Sequence, residues 1–396
     1  MKVGWQRRRI GDVCDLATGG TPSRTKPEYF GGEIKWLVSG DIHQGEIYDC
    51  EGRITEAGMR NSNAKFLPVD SVMIALNGQG KTRGTVAMLR TKATCNQSMV
   101  SIFPRESSGL LPEFLYANLQ GRYEEIRRMT SDDDKDRRGL NMGLIRDIEI
   151  TIAPLPEQHR IVVILDEAFD GIATAKANAE KNLQNARALF ESHLQSVFTE
   201  RGEGWVEKRL GDIAEVQSGG TPTVSKKEFW NGDIPWYSSG ELNRTFTTNP
   251  ERHITDVGLE NSNAKLFPKG ALLVGMYDTA ALKMSILDRD GAFNQAIAGI
   301  KPNDRIDVEF ILHAINVEKP RLLLERRGVR QKNLSLGKIK EISVPLPAPE
   351  VQRDVVARLR QFAIGTQRLE SLYQQKLTAL DDLKKSLLHQ ASSGQL

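Results

Sequence analysis

Two long stretches of the chain carry apolar residues at helical spacing. In the first, from Glu157 to about Phe198, Leu165, Ala168, Ile172, Ala175, Ala179, Leu183, Ala186, Phe190, Leu194 and Val197 recur in steps of three and four. Those steps place them on one stripe of an α-helix. Lys176, Glu180, Lys181, Gln184 and Arg187 fill the other faces. A helix of this length is on the order of 60 Å long at about 1.5 Å per residue. A stripe so narrow needs a partner. The second stretch, Glu350 to about Gln390, supplies one in Leu359, Phe362, Thr366, Leu369, Tyr373, Leu377, Leu380, Leu383 and Leu387. A proline cluster precedes each, Pro154-Leu155-Pro156 and Pro345-Leu346-Pro347-Ala348-Pro349. Proline ends a strand and suits the first turn of a helix. Glu157 and Glu350 fall in that turn, where the helix dipole favours them.

The residues before each helix follow a shorter period. Ser71-Val72-Met73-Ile74, Val86-Ala87-Met88-Leu89 and Met99-Val100-Ser101-Ile102 read as strands, as do Ile148 to Ile152 and Ile342 to Val344. Leu111 to Arg128 and Val308 to Glu325 read as helices packed on the sheet. The order is globular domain, long helix, globular domain, long helix. The boundaries fall at 1–156, 157–201, 202–348 and 349–396.

These two halves are one unit written twice. Trp5, Gly11-Asp12, Gly19-Gly20-Thr21-Pro22, Trp36 and Ser39-Gly40-Asp41 return at an offset of 200 as Trp205, Gly211-Asp212, Gly219-Gly220-Thr221-Pro222, Trp236 and Ser239-Gly240-Glu241. Asn61-Ser62-Asn63-Ala64-Lys65 returns unchanged as Asn261 to Lys265. This is a tandem repeat of a large unit, not a short-period solenoid. The offset shrinks by two between Ala75–Thr85 and Gly275–Lys283. It shrinks again across Ser107 to Arg138, reaching about 193 by Arg160 and Arg353. Loops tolerate length changes and carry recognition, so these two segments are candidates for a specificity-bearing surface. A pseudo-two-fold relation between the units would run the long helices antiparallel, with the two globular domains at opposite ends of a rod.

Composition narrows the class. The 396 residues are 39% hydrophobic and 27% charged, ordinary for a soluble globular protein. No apolar run approaches the ~20 residues that span a bilayer, and Arg7-Arg8-Arg9 is followed by no apolar core, so neither a membrane span nor a secretory signal is expected. The cysteines Cys14, Cys50 and Cys95 have no metal-ligand spacing and suit a reducing cytoplasm. A net charge of +3 neither demands nor excludes nucleic acid.

Catalytic motifs are missing or incomplete. Gly78-Gln79-Gly80-Lys81-Thr82 resembles the end of a phosphate-binding loop, but Ala75 stands where the first glycine belongs and a strand follows where a helix should. A hairpin loop and a basic loop presenting Asn77, Gln79, Lys81 and Arg83 outward are both open readings. The six histidines form no metal or nucleophile constellation. The acidic run Asp132 to Asp136 has no counterpart near Arg326 to Arg330 and reads as a solvated loop. Neither a glycine-rich S-adenosylmethionine loop nor an Asn-Pro-Pro-Tyr-like motif is visible, so the chemistry looks delegated to another chain.

With these pieces together, the chain resembles the specificity subunit of type I DNA restriction–modification enzymes. The resemblance rests on Gly19-Gly20-Thr21-Pro22 with Trp36 and Ser39-Gly40-Asp41, Pro154-Leu155-Pro156-Glu157-Gln158, Leu189-Phe190-Glu191-Ser192 and the C-terminal Leu383 to Leu396. It implies an α+β protein with two similar mixed α/β target recognition domains and two long antiparallel coiled-coil helices. It implies that each domain reads half of a bipartite double-stranded DNA target, and that the helices set the spacing and dock methyltransferase (modification) subunits, two of them. A translocase–endonuclease subunit would join the assembly. S-adenosylmethionine, ATP and Mg would belong to those partners, and this chain would be non-catalytic with no cofactor of its own.

Under that resemblance, Ser39, Asp41, Ser239 and Glu241 belong to the candidate DNA-binding set. Asn77 and Gln79 suit adenine, and Lys81 and Arg83 suit guanine. Tyr277, Asp278 and Lys283 occupy the equivalent loop of the second copy. Arg137, Arg138, Arg330 and Lys332 suit phosphates, which position without specifying. Two copies so alike should read related half-sites, giving a target closer to palindromic than two unlike domains would. The competing function is a coiled-coil adaptor holding two protein-binding domains, with no DNA role.

Overall fold

The computed structural model describes residues 2–78, 80–130, 139–327 and 334–396, and of residues 278 and 325–327 the backbone alone. The chain divides into two compact units, Met1–Glu180 with Gln374–Leu396, and Lys181–Tyr373. The division falls within both long helices, which run Leu155–Thr199 and Pro349–Ser393 and are 45 residues each. Both therefore start slightly earlier and end slightly later than their stripes suggest.

In the first unit a five-stranded sheet is ordered Cys14–Thr18, Met99–Pro104, Val72–Ala75, Val86–Leu89, Glu46–Ile47. A three-stranded sheet sets Phe30–Leu37 between Arg53–Ile54 and Thr94–Cys95. The strand Gln6–Arg9 pairs antiparallel with Glu149–Ile152 beside the head of the long helix. The second unit repeats this plan. Val216–Ser218, Ile297–Ile300, Leu272–Gly275 and Met284–Ile286 form one sheet, and Trp230–Tyr237 lies between Arg252–Ile254 and Ala292–Phe293. Val206–Arg209 pairs with Ser343–Leu346. Helices Pro112–Gly121 and Tyr123–Arg128 cover the first sheet, and Val308–Arg327 takes their place in the second unit.

The repeated sequence pieces hold equivalent joints. Trp36 donates its indole N–H to the Gly20 carbonyl at 3.0 Å, and Trp236 donates to Gly220 at 3.0 Å. Thr55 and Thr255 cap short helices through the amides of Gly58 and Gly258, each at 3.1 Å. Glycine is required at positions 19 and 219, where a Cβ would fall 1.7 Å from the Cys95 carbonyl oxygen and 2.0 Å from that of Phe293. All three cysteines are buried, and burial pushes the Cys14 and Cys95 thiols up to about 12.

A buried glutamine at the head of each long helix joins it to its domain. Gln158 accepts from the Leu111 amide at 2.8 Å and donates to the carbonyls of Gly109 (2.7 Å) and Ala153 (2.8 Å). Gln352 accepts from Asp307 at 2.7 Å and donates to Arg305 (3.1 Å) and Pro347 (2.8 Å). These equivalences put the repeat offset at the long helices at 194 (352 − 158), one more than the sequence match suggests. They also divide the second loss. Leu111 answers Asp307 at 196, so two residues disappear before the covering helix and two after it.

Within each unit the two long-helix segments pack antiparallel. In the first unit Lys176 meets Asp381 at 2.6 Å, Arg160 donates to the Leu396 carbonyl at 2.9 Å, and Lys384 lies 4.7 Å over the Phe169 ring. In the second, Arg187 meets Glu370 at 3.1 Å and His193 lies against Phe362 with ring centroids 4.2 Å apart. No member of the first stripe is fully exposed, and Ile172, Ala179, Leu183, Ala186 and Leu194 are buried. The second stripe is wider than its seam. Leu369 and Leu383 are exposed, because a helix this long drifts around its axis and three-four spacing continues past the packed face.

Gln158→Ala would leave two carbonyls and an amide without partners in a buried joint, so it should lower unfolding free energy by about 2–3 kcal/mol. Urea unfolding of the full chain checks this. At pH 8, Cys14 and Cys95 should react with iodoacetamide only after unfolding, since their raised pKa keeps them as thiols; mass spectrometry of native and denatured chains reads the difference.

Candidate nucleic-acid interface

Each unit carries a hairpin in its larger sheet. In the first, Val72–Ala75 and Val86–Leu89 pair antiparallel with Ile74 opposite Val86, and residues 76–85 connect them. The loop thus leads from strand to strand, which a phosphate-binding loop does not, and the hairpin reading stands. Asn77 and Lys81 are exposed, and Arg83 is half-buried. The loop backbone is pinned from the covering helix: Tyr123 donates to the Lys81 carbonyl at 3.1 Å and Arg127 to that of Gly80 at 2.5 Å. From the other side His43 shares a 3.0 Å hydrogen bond with Thr82.

The second hairpin joins Leu272–Gly275 to Met284–Ile286 through a 3-10 turn, Asp278–Ala280. Tyr277 is half-buried against the core. Lys283 donates to Asn243 Oδ1 at 3.0 Å. Residue 243 is the counterpart of 43, so in both units the hairpin is tethered to the turn after the anchored tryptophan. Lys319, the counterpart of Tyr123, lies close enough to Lys283 that burial and then that like charge depress its pKa.

Those turns hold Ser39–Gln44 and Ser239–Glu241. Asp41 accepts the Val38 amide at 2.8 Å. Glu241 accepts the Ser238 amide and hydroxyl, each at 2.7 Å, and the Glu251 amide at 3.0 Å. Both carboxylates are occupied in holding their turns. Ser39 and Ser239 are half-buried in the same turns. The structure therefore brings Ser39, Asp41, Asn77, Lys81 and Arg83 to one rim, and Ser239, Glu241, Tyr277 and Lys283 to its counterpart. Gln79, Arg137, Arg138, Arg330, Lys332 and the acidic run 132–136 lie outside the described residues, as does the side chain of Asp278.

Sequence reasoning passed over His43, Tyr123, Arg127, Asn243 and Lys319. The signal for Tyr123 and Lys319 was their shared place late in the covering helix. For His43 and Asn243 it was their offset of 200. Among the described residues no group of His, Cys, Asp or Glu is placed to hold a metal ion, and no helix is long and apolar enough to cross a membrane.

A family model of the type I restriction modification DNA specificity domain matches residues 2–184 and again residues 202–379. The chain belongs to that family. Its relatives include the Escherichia coli type I restriction enzyme EcoR124I/EcoR124II specificity subunit, 29% identical over 52% of this chain and 51% of that one. The Escherichia coli EcoBI specificity subunit is 30% identical over 72% of this chain and 65% of its own length. The match thus spans about half the length of the first of these relatives. Two solved structures share the fold. One is a chain from a study of complex assembly and conformational transition of the type I R-M system, at TM-score 0.78 and 17% identity, covering 100% of this chain and 99% of that one. The other is the HsdS subunit from Thermoanaerobacter tengcongensis, at TM-score 0.72 and 18% identity, covering 100% and 98%. Membership of the specificity family bears out the resemblance and the two-copy fold read from the sequence.

Glu241→Ala removes three hydrogen bonds from one turn. Amide exchange at residues 238–241 and 251 should quicken, with unfolding free energy lower by about 1–2 kcal/mol; hydrogen exchange by mass spectrometry checks both.

Proposed function

We propose that this chain is the non-catalytic, sequence-reading subunit of a type I restriction–modification complex. Each repeat, 1–156 and 202–348, reads one half of a bipartite double-stranded DNA target. The helical segments 157–201 and 349–396 set the gap between the halves and dock two modification subunits, which a translocase–endonuclease subunit joins. S-adenosylmethionine, ATP and Mg reside in those partners, and the complex works in the cytoplasm.

One observation carries this reading. A single fold is built twice in the chain, each copy tied to its helix by the same glutamine joint, while the hairpin at one rim differs in length and chemistry. A constant scaffold carrying a variable polar loop suits recognition. In the first hairpin Asn77 and Gln79 pair with adenine, and Lys81 and Arg83 with guanine. Tyr277, Asp278 and Lys283 serve the second half-site, while Arg137, Arg138, Arg330 and Lys332 hold phosphates. The capping bonds of Asp41 and Glu241 support a positioning role for both, with Ser39 and Ser239 beside them. The exposed Ile364, Leu369 and Leu372 on the second long helix offer apolar area for a modification subunit.

A salt titration of DNA binding tests the reading first: phosphate contacts give a steep linear fall of log affinity with log salt, whereas a protein-binding adaptor gives none. Lys81→Ala and Arg83→Ala should each weaken binding about tenfold and relax one half-site only; unchanged affinity and preference would mean another loop reads the DNA. Deleting about one heptad from each helix should shorten the gap and leave both half-sites intact. Methylome mapping in cells with and without the altered gene reads that directly.

A further inference from the structure

Arg252 differs from the other arginines around the two small sheets. It stands on the strand Arg252–Ile254, opposite Trp236 in the register. Its guanidinium carbon lies 3.5 Å from the centroid of the Trp230 ring and 5.5 Å from that of Trp236. The two indoles meet edge to face at 5.1 Å and 88°. Both are locked: Trp236 donates to the Gly220 carbonyl at 3.0 Å and Trp230 to that of Thr223 at 3.3 Å. Arg252 is exposed, and its side chain has no hydrogen bond or ion pair among the described residues. By contrast Arg53 is held by Asp49 at 2.8 Å, Arg90 by three carboxylates, and Arg289 by Asp288 at 2.7 Å.

A guanidinium stacked by its face keeps its N–H edge available in a fixed plane, with much of its rotamer freedom already lost. In the chain Arg252 directly follows a residue bonded to the candidate rim. The amide of the preceding residue, Glu251, donates to Glu241, and the same turn leads to Asn243, which holds Lys283. Among the described residues of the first unit no arginine stacks on Trp36 in this way. Position 52 is glycine there, and a Cβ on it would fall 2.3 Å from the Trp36 carbonyl oxygen.

We infer that Arg252 is a DNA-contacting residue peculiar to the second unit, its guanidinium edge donating to a two-oxygen or O6/N7 acceptor. Such an acceptor is a backbone phosphate or a guanine edge. The inference rests on the DNA reading proposed above. It makes the two half-sites unequal in a way that the hairpins alone do not.

The test uses the full-length chain in its assembled complex and a random-sequence double-stranded DNA library. The wild type first selects its target, and Arg252→Ala and Arg252→Lys are then compared on that target. Arg252→Ala should bind about tenfold more weakly. If the acceptor is guanine, one position of one half-site loses its preference. If it is phosphate, the loss is uniform across sequences and the salt slope falls by about 0.9. Arg252→Lys, which keeps the charge without the planar fork, should recover only part. Wild-type affinity, salt slope and preference in Arg252→Ala would overturn the inference, and a lowered melting temperature alone would leave Arg252 as a cover for the indoles. A loss of base preference at both half-sites would overturn it too. A wild-type complex that selects no sequence and shows no salt dependence fails the DNA reading and this inference with it.

Discussion

One primary amide at the head of each long helix bears on everything around it. Gln158 and Gln352 are buried, and each satisfies an amide and two carbonyls of irregular backbone. Buried backbone polar groups without partners are costly. The start of the covering helix, the loop before it and the strand running into the proline cluster thus share one fastening. The long helix is consequently not a tether hung from a domain: its first turn is part of the domain's own hydrogen-bond network.

Around this fixed joint the two units distribute charge differently. Glu113 and Glu309 occupy the same second position of their covering helices. Glu309 pairs with Arg360 on the long helix, so that joint carries an ionic contact. In the first unit the position equivalent to Arg360 is Asp166, and Glu113 turns to Arg90 on the sheet, which also binds Glu46 and Asp70. Burial first, then Asp170, Glu46 and Glu113, raise the Asp166 pKa. The same backbone therefore accepts opposite charges at one joint because a neighbouring strand residue compensates.

Much of this was legible in the sequence because the repeat compares the chain with itself. Matching tryptophans, glycines and Asn-Ser-Asn-Ala-Lys runs mark scaffold, and offset changes mark loops. Helical period located both long helices to within a few residues. The strands Gln6–Arg9 and Val206–Arg209 were not legible: both are exposed and highly charged, and only their pairing with the strand before the proline cluster makes them strands. The exposure of Leu369 and Leu383 was equally hidden, since spacing cannot tell a packed leucine from one on a neighbouring face. Within the candidate site, the residues of the hairpins could be named from loop-length changes. Their tethers could not, because His43–Thr82 and Lys283–Asn243 join segments about forty residues apart through the sheet.

The glutamine joint also fixes the rotational phase of each helix. With its first turn fastened, every residue added to the helix carries the chain beyond it about 1.5 Å along and about 100° around the axis. Length and bearing cannot be altered separately. Insertions or deletions close to whole turns preserve the bearing, and a heptad shifts it by only about 20°; a single residue swings it by more than a quarter turn. A helix fastened this way behaves as a screw thread, and its length can change only in steps near its own pitch if the residues further along it are to keep their bearing.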